Sequence, residues 1–424
     1  MKVTYFQQVP YRHLPPDFAE RYESVVSTPY HALTRPEQVA DAFQDAMGEL
    51  MHAARAGFDA LVVTEHGQCS YDMVPNPDLL AAALAHATEA EGLSTAIYPL
   101  GRSLGKAREP LRVAEEHAVL DCMSRGRLVC GFPIGLGYDA NVNNGVPPME
   151  TRPRYDENLR LILRSWTARE PFAWNGRHSQ HRMVNLWPRP MQDPHPPVWI
   201  TATGNPRTIE FILESGFGFN YFGWFGARTT APRIFERFWG TVDALGKPVN
   251  PYQVGFMQLI GVAETDEKAE KLYAEHAEYF FQRGLGSVPM ERMMLPGGID
   301  IRGVEALLRD PGDTGLYARM RTAPFRDLAE TGCAIVGSPD TVAEQLIDII
   351  KRHRIGNLHA MLQFGSMPAE LTKFNIDLFA AEVLPRLKGI WRDDAPPHHW
   401  WPERLGGDLS PLRAAAGAVT GGLR

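Results

Sequence analysis

The sequence predicts an α/β fold, a (β/α)8 barrel, and three observations lead there. Short apolar runs alternate with amphipathic helical stretches about eight times along the chain. Strict alternation requires parallel strands joined by right-handed crossovers, and about eight such units close a barrel. No G-x-G-x-x-G follows the first apolar run, which weakens the competing dinucleotide-binding form of an open doubly wound sheet.

The elements follow in order. Residues 3–6 read as a strand, and a polar loop runs to about residue 33. Thr34 is placed as a helix cap with Pro36 in the first turn. Val39, Phe43, Met47, Leu50, Met51 and Ala54 then mark one helical face, which Gly57 ends. Strands are expected at 58–63, 94–100, 127–132, 198–202, 219–222, 253–262 and 358–364. Helices alternate with them at 79–90, 111–123, 155–166, 206–215, 234–245, 268–283 and 368–387. Ser338 caps one more helix, carrying Val342, Leu346, Ile349 and Ile350. Glycines, prolines and methionines break the rhythm at about 284–330, an expected insertion. One domain is expected over 1–390, with 391–424 as an extended or loose C-terminal tail.

Composition narrows the function. The 424 residues are 44% hydrophobic and 22% charged, which describes a folded chain with an ample core. A net charge of −7 asks for neither nucleic acid nor an anionic membrane as partner. The four cysteines are scattered without C-x-x-C, so a disulfide framework and a thiolate zinc site are not expected. No H-E-x-x-H or G-x-S-x-G occurs, so neither a metal nor a serine hydrolase is expected. The opening MKVTYFQQVP has no apolar signal core and no run of 18 apolar residues follows, which makes the cytoplasm the default location.

In a barrel, chemistry sits where strands run into helices. The second strand ends at Glu65-His66 with Gln68 beyond, and Thr95-Ala96 is read near the end of the third. The fourth ends at Gly131-Phe132-Pro133, the fifth at Thr203-Gly204-Asn205 and the last at Gln363-Phe364-Gly365. A histidine at such a place can be a base, a hydrogen bonder or a structural residue. N–H groups at a helix start, with a glycine for close approach, suit a phosphate at 203–205; an ordinary turn reads the same way. Arg152 and Arg154 open a helix whose dipole they oppose, so an anion or carboxylate nearby would give them a reason. Trp224, Phe225, Met290, Met293 and Met294 suit an apolar or aromatic substrate, and core packing explains them nearly as well.

Several stretches, taken in this order, resemble the bacterial luciferase-like flavin-dependent monooxygenases. They are GFDALVVTEHGQ (57–68), PLRVAEEHAVLDCMSRGRLVCGF (110–132), RYDENLRLILRSWT (154–167), NLWPRPMQDPHPPVWITATGNPRTIEFILESG (185–216), GSPDTVAEQL (337–346) and QFGSMP (363–368). The resemblance implies a TIM barrel with a late insertion that binds FMN, or in one branch a deazaflavin. It implies His66 as the catalytic histidine with Glu65 beside it, and Thr95 and Ala96 against the isoalloxazine. Thr151 and Tyr155 would reach the phosphate or ribityl chain, Thr203, Gly204 and Asn205 would form the phosphate loop, and Gln68, Trp224 and Phe225 would meet substrate. Partners implied are O2, a separate flavin reductase that supplies reduced FMN, and a second copy of the chain in a homodimer.

Two departures stand out. Gly67 replaces a second histidine common in the family, and Pro133-Ile134 replaces the Cys-Arg of the luciferases, so light emission with long aldehydes is not implied. The expected function is oxygenation of a small apolar or aromatic compound by hydroxylation, epoxidation or a Baeyer–Villiger reaction. A deazaflavin-dependent oxidoreductase transferring hydride is the alternative. A non-catalytic flavin binder is a third reading, against which the retained Glu65-His66 speaks.

Overall fold

The computed structural model describes residues 1–284, 287–289, 292, 295, 319 and 321–414. Its strands are β1 (Lys2–Gln7), β2 (Ala60–Val63), β3 (Ala96–Pro99), β4 (Cys130–Gly131), β5 (Phe172–Asn175), β6 (Gln180–Val184), β7 (Val198–Thr201), β8 (Gly218–Phe222), β9 (Val254–Val262), β10 (Ala334–Gly337) and β11 (Asn357–Met361). Eight of them lie parallel in the order β3-β2-β1-β11-β9-β8-β7-β4. A bridge from Ile97 to Leu128 brings the two ends of this sheet together, with the Ile97 N–H donating to Arg127 O at 3.0 Å. The expected barrel is therefore present.

Strand alternation sorts the core into two layers. Val3, Tyr5, Leu61, Ile97, Leu128 and Val198 pack outward under the helices. Phe6, Val62, Tyr98, Val129, Trp199 and Met361 face the barrel interior. Both strand faces are buried, which is why the strands read as continuous apolar runs. Polar side chains inside the barrel satisfy one another. Thr4 Oγ1 meets His359 Nδ1 at 2.8 Å, His359 Nε2 meets Asn220 Oδ1 at 2.8 Å, and Asn220 Nδ2 donates to the Tyr98 hydroxyl at 2.7 Å. Burial lowers His359 to about 3, so it stays neutral in this chain of bonds.

Several expectations need correction. Thr34 does not cap the helix Pro36–Arg55; its hydroxyl donates to Tyr30 O and closes the turn before it. The hairpin β5–β6 was not expected, because half-exposed residues carry it. Its turn is gripped by the Glu157 carboxylate, which accepts the N–H groups of Arg177, His178 and Ser179 at 2.8–3.1 Å. Strand β10 was also missed; it extends the barrel beside the outer half of β9, pairing Ala334 with Leu259. Most of the expected insertion, with Met290, Met293 and Met294, lies outside the described residues.

The tail is not a loose arm through residue 414. The Trp199 indole donates to Trp400 O at 2.9 Å, and Trp400 and His399 both reach Gly216 O. His398 stacks on Tyr252 at 4.2 Å, and Lys2 Nζ donates to Leu405 O at 2.9 Å. These partners lie at or beside the starts of β1, β7, β8 and β9. The segment therefore covers the N-terminal end of the barrel, and Trp401 joins the interior core. Apolar tryptophans among prolines carry no period, so the sequence pattern could not report this packing.

Candidate active site

The loops after β2, β3 and β4 meet at the C-terminal face of the barrel. Gly105 shows how closely: a Cβ there would lie 2.2 Å from Ile134 O and 2.8 Å from Thr151 Cγ2. The loop after β3 thus meets the loop after β4 through backbone, which only glycine permits.

His66 follows β2 and is half-buried. Its N–H donates to Val74 O at 2.8 Å, which fixes the backbone. Nδ1 lies 2.9 Å from the Tyr71 hydroxyl and 3.0 Å from the Tyr138 hydroxyl, and these two hydroxyls bond to each other. Burial, with the Lys106 ammonium nearby, pushes the imidazole down to about 3, so it is neutral at ordinary pH.

Glu65 faces away from His66. Its carboxylate pairs with Lys106 Nζ at 2.7 Å and Arg102 at 3.4 Å, and accepts the Ser103 N–H at 3.1 Å. Lys106 also pairs with Asp139 at 2.7 Å. Burial would lower Lys106, but the two carboxylates overcome it and raise the ammonium above its ordinary value. Arg102 continues outward to Asp78 at 3.3 Å and Glu116 at 2.9 Å. Glu65 therefore anchors the loop after β3. Below it, Asp72 accepts from Val9 N–H at 3.0 Å and Thr64 Oγ1 at 2.6 Å, and burial raises its carboxyl to about 7.

The expected cofactor residues divide. Thr95 precedes β3, and its hydroxyl donates to Phe58 O at 3.0 Å; Ala96 opens the strand and packs in the interior. Both lie at the N-terminal end of β3 (Ala96–Pro99), away from the mouth, as the expected strand over 94–100 already places them. Tyr155 is buried and donates to Phe132 O at 3.0 Å, while Thr151 Oγ1 accepts from Asn141 Nδ2 at 2.7 Å. At the start of helix Pro206–Ser215 the expected free N–H groups are taken. Asn205 Oδ1 accepts from Arg207 N and Thr208 N, and Asn205 O accepts from Ile209 N. Gly204 has φ +89°, a conformation glycine suits, and Arg237 donates to its carbonyl at 2.8 Å.

The group delivered to this helix start is Arg152. It donates to Thr208 Oγ1 at 3.2 Å, pairs with Asp156 at 2.8 Å and lies over the Tyr155 and Phe211 rings. Thr203 is exposed in the turn before this helix. A guanidinium and the Thr208 hydroxyl thus meet where the sequence suggested an anion.

Across the mouth stands an aromatic wall. Phe6 meets Phe222 at 5.6 Å, Phe222 meets Trp224 at 4.9 Å, and Trp224 meets Phe280 at 5.6 Å. The Phe225 side chain lies outside the described residues. Gln68 is exposed at the rim, with φ +55° and Nε2 3.4 Å from Asn143 O. Among the described residues, the buried polar atoms Gln8 Nε2, Thr201 Oγ1, Trp224 Nε1 and Gln363 Oε1 at the strand ends have no partner. Gln8 lies two residues beyond inward-facing Phe6. The β1–β11 register, extended, sets it beside Gln363. Orphaned buried donors and acceptors at the end of an otherwise apolar barrel suit a flat ligand with polar edges.

Sequence reading missed Tyr71, Lys106, Tyr138 and Asp139. Each lies in the connection that follows a barrel strand, Tyr138 and Asp139 in its helical turn Tyr138–Asn143, and that placement was the signal available.

Known proteins resemble this chain in sequence and in fold. The sequence profile of the luciferase-like monooxygenases matches residues 23–354. The oxygenase component of flavin-dependent trigonelline monooxygenase from Acinetobacter baylyi is 30% identical over 184 residues, 42% of this chain and 49% of that protein. In fold, the chain matches the oxygenating constituent of 3,6-diketocamphane monooxygenase from Pseudomonas putida, a type II Baeyer–Villiger enzyme solved with FMN. The TM-score is 0.67 at 18% identity, over 91% of this chain and 98% of that one. An F420-dependent secondary alcohol dehydrogenase matches at TM-score 0.60 and 16% identity, over 81% and 94%. With the profile spanning most of the barrel and a neutral histidine at its mouth, the chain belongs to the luciferase-like monooxygenase family.

Proposed function

We propose that the protein is the oxygenase component of an FMN-dependent monooxygenase. It would take reduced FMN from a separate reductase and oxygenate a small apolar or aromatic compound with O2. The observation that carries this reading is the neutral His66 at the barrel mouth, with an arginine-bearing helix start on the β7 side and an aromatic wall at β8. Bound FMN would supply the oxygen chemistry. Arg152, Thr203 and Thr208 would hold its phosphate, Tyr155 and Thr151 would shape the floor beneath the chain, and Gln8, Gln363 and the Trp224 indole offer polar partners at the opposite rim. Glu65 and Lys106 would keep the lid loops closed over this space, and Phe6, Phe222 and Trp224 would exclude water.

The test is reconstitution. Purified protein with photoreduced FMN should consume O2 and convert an apolar ring compound from a metabolite extract, read by mass spectrometry. The second reading, a deazaflavin-dependent oxidoreductase, is favoured by the fold shared with the F420-dependent dehydrogenase. Hydride transfer from the reduced deazaflavin, without O2 uptake, would select it.

The phosphate assignment has its own measurement. Arg152→Met should weaken FMN binding about 10–100-fold, as expected for a lost charge-assisted bond. Riboflavin, which lacks the phosphate, should bind both proteins alike in fluorescence titration. An equal loss for the two flavins would remove Arg152 from the phosphate site.

We also infer a homodimer in the cytoplasm. No helix among the described residues is long and apolar enough to cross a membrane. Val119 and Met123 are exposed on helix Pro110–Met123, which suits a partner helix. Sedimentation at micromolar concentration should give twice the chain mass.

A further inference from the structure

The two nitrogens of His66 have different neighbours. Nδ1 faces two phenol hydroxyls, at 2.9 Å from Tyr71 and 3.0 Å from Tyr138, which also bond to each other. Nε2 makes no hydrogen bond to any described residue. Tyr71 and Tyr138 are buried, and burial raises both phenols well above their ordinary range, so each keeps its proton. Neither hydroxyl has another acceptor among the described residues.

Counting protons then fixes the ring. A neutral phenol donates one hydrogen bond and accepts others. If Nδ1 is bare, one hydroxyl donates to the other, the second donates to Nδ1, and every proton has an acceptor. If Nδ1 carries the proton, it no longer accepts. One buried phenol O–H is then left without a partner, which buried polar groups avoid.

We propose that Tyr71 and Tyr138 are positioning residues that hold His66 as its Nε2–H tautomer, so that the imidazole acts from Nε2 as a hydrogen-bond donor and not as a base. The other charged and titratable groups nearby fit this arrangement. Lys106 disfavours an imidazolium and is itself held by Glu65 and Asp139. Asp72 is engaged by Val9 and Thr64, and the Cys69 thiol donates to Asp72 O, so neither competes for the ring. No proton changes owner in this role. The imidazole donates to an oxygen that gains charge, which is stabilisation by a fixed dipole. Its relevance to catalysis rests on the reading that His66 faces the reacting atoms, but the tautomer is a property of the chain alone.

The experiment uses the full chain without cofactor, labelled with 15N-histidine, in two-bond proton–nitrogen correlation spectra at pH 7. His66→Ala identifies the His66 signals by their loss. The expected result is a pyrrole-type Nε2 and a pyridine-type Nδ1 in one tautomer. Tyr71→Phe and Tyr138→Phe, taken singly, each leave one donor to Nδ1 and should keep that pattern. The double variant should move both nitrogens toward the averaged shifts of mixed tautomers. A protonated Nδ1 in the wild type or in either single variant overturns the proposal, and so does an unchanged pattern in the double variant. Failure of FMN to bind in a separate titration would count against the flavin reading and would leave this result standing.

Discussion

His66→Ala should lose most product formation while FMN binds nearly as before. The histidine sits at the mouth and is neutral. Its ring is tied from behind by Tyr71 and Tyr138, so removing it leaves the loops and the Arg152 cradle in place. Removing one preorganised hydrogen-bond donor to developing charge typically costs about 10²–10³-fold in rate, and that is the loss expected. Flavin should still be oxidised, with hydrogen peroxide released in place of product. His66→Gln keeps an N–H at similar reach and should recover part of the activity if donation is the role. Steady-state product formation with a peroxide assay checks both variants. Near-normal coupling in His66→Ala would make the residue structural.

Lys106→Met should cost about 3–5 kcal/mol of stability at neutral pH, the usual result of breaking a buried ion pair from one side. Lys106 is nearly buried between Glu65 and Asp139, each 2.7 Å away, and both carboxylates are buried. Burial already holds Asp139 above its ordinary value, with Lys106 as the chief opposing influence. Without the ammonium that elevation grows. A carboxyl whose folded pKa exceeds its unfolded one binds its proton more tightly when folded. Its contribution is therefore favourable at acid pH and is lost as pH rises through the folded pKa. The deficit of the variant should be small near pH 4 and should widen toward pH 7. Urea titrations at a series of pH values check this, and a deficit independent of pH would show that the lysine acts through packing alone. The lid loops should also loosen, raising the KM for substrate more than His66→Ala does.

The order of strands and helices was legible in the sequence because both faces of each barrel strand are buried. The apolar runs at residues 3–6, 58–63 and 198–202 report that burial directly, without reference to neighbours. Ser338 was equally legible, since its hydroxyl accepts from Thr341 N within the same turn. His66 could be singled out for a similar reason: a strand end in a barrel is a local position with a known direction. Thr95 and Ala96 were read at the wrong end of a strand whose expected span, 94–100, already put them near its start, and the structure keeps them at the floor.

What only the tertiary structure decided is who meets whom across the mouth and the floor. Tyr71 and Tyr138 are 67 residues apart, and Glu65 and Asp139 share a lysine from a third loop. Arg152 reaches Thr208 from another helix, and Trp400 reaches Trp199 from the far end of the chain. The sequence by itself determined the barrel, its family and a histidine at its mouth, since these depend on local pattern and order along the chain. The tautomer of that histidine, the commitment of Glu65 to its loop and the cover over the barrel floor depend on buried polar groups finding partners distant in sequence. Low dielectric makes each such pairing decisive, and no local period records it.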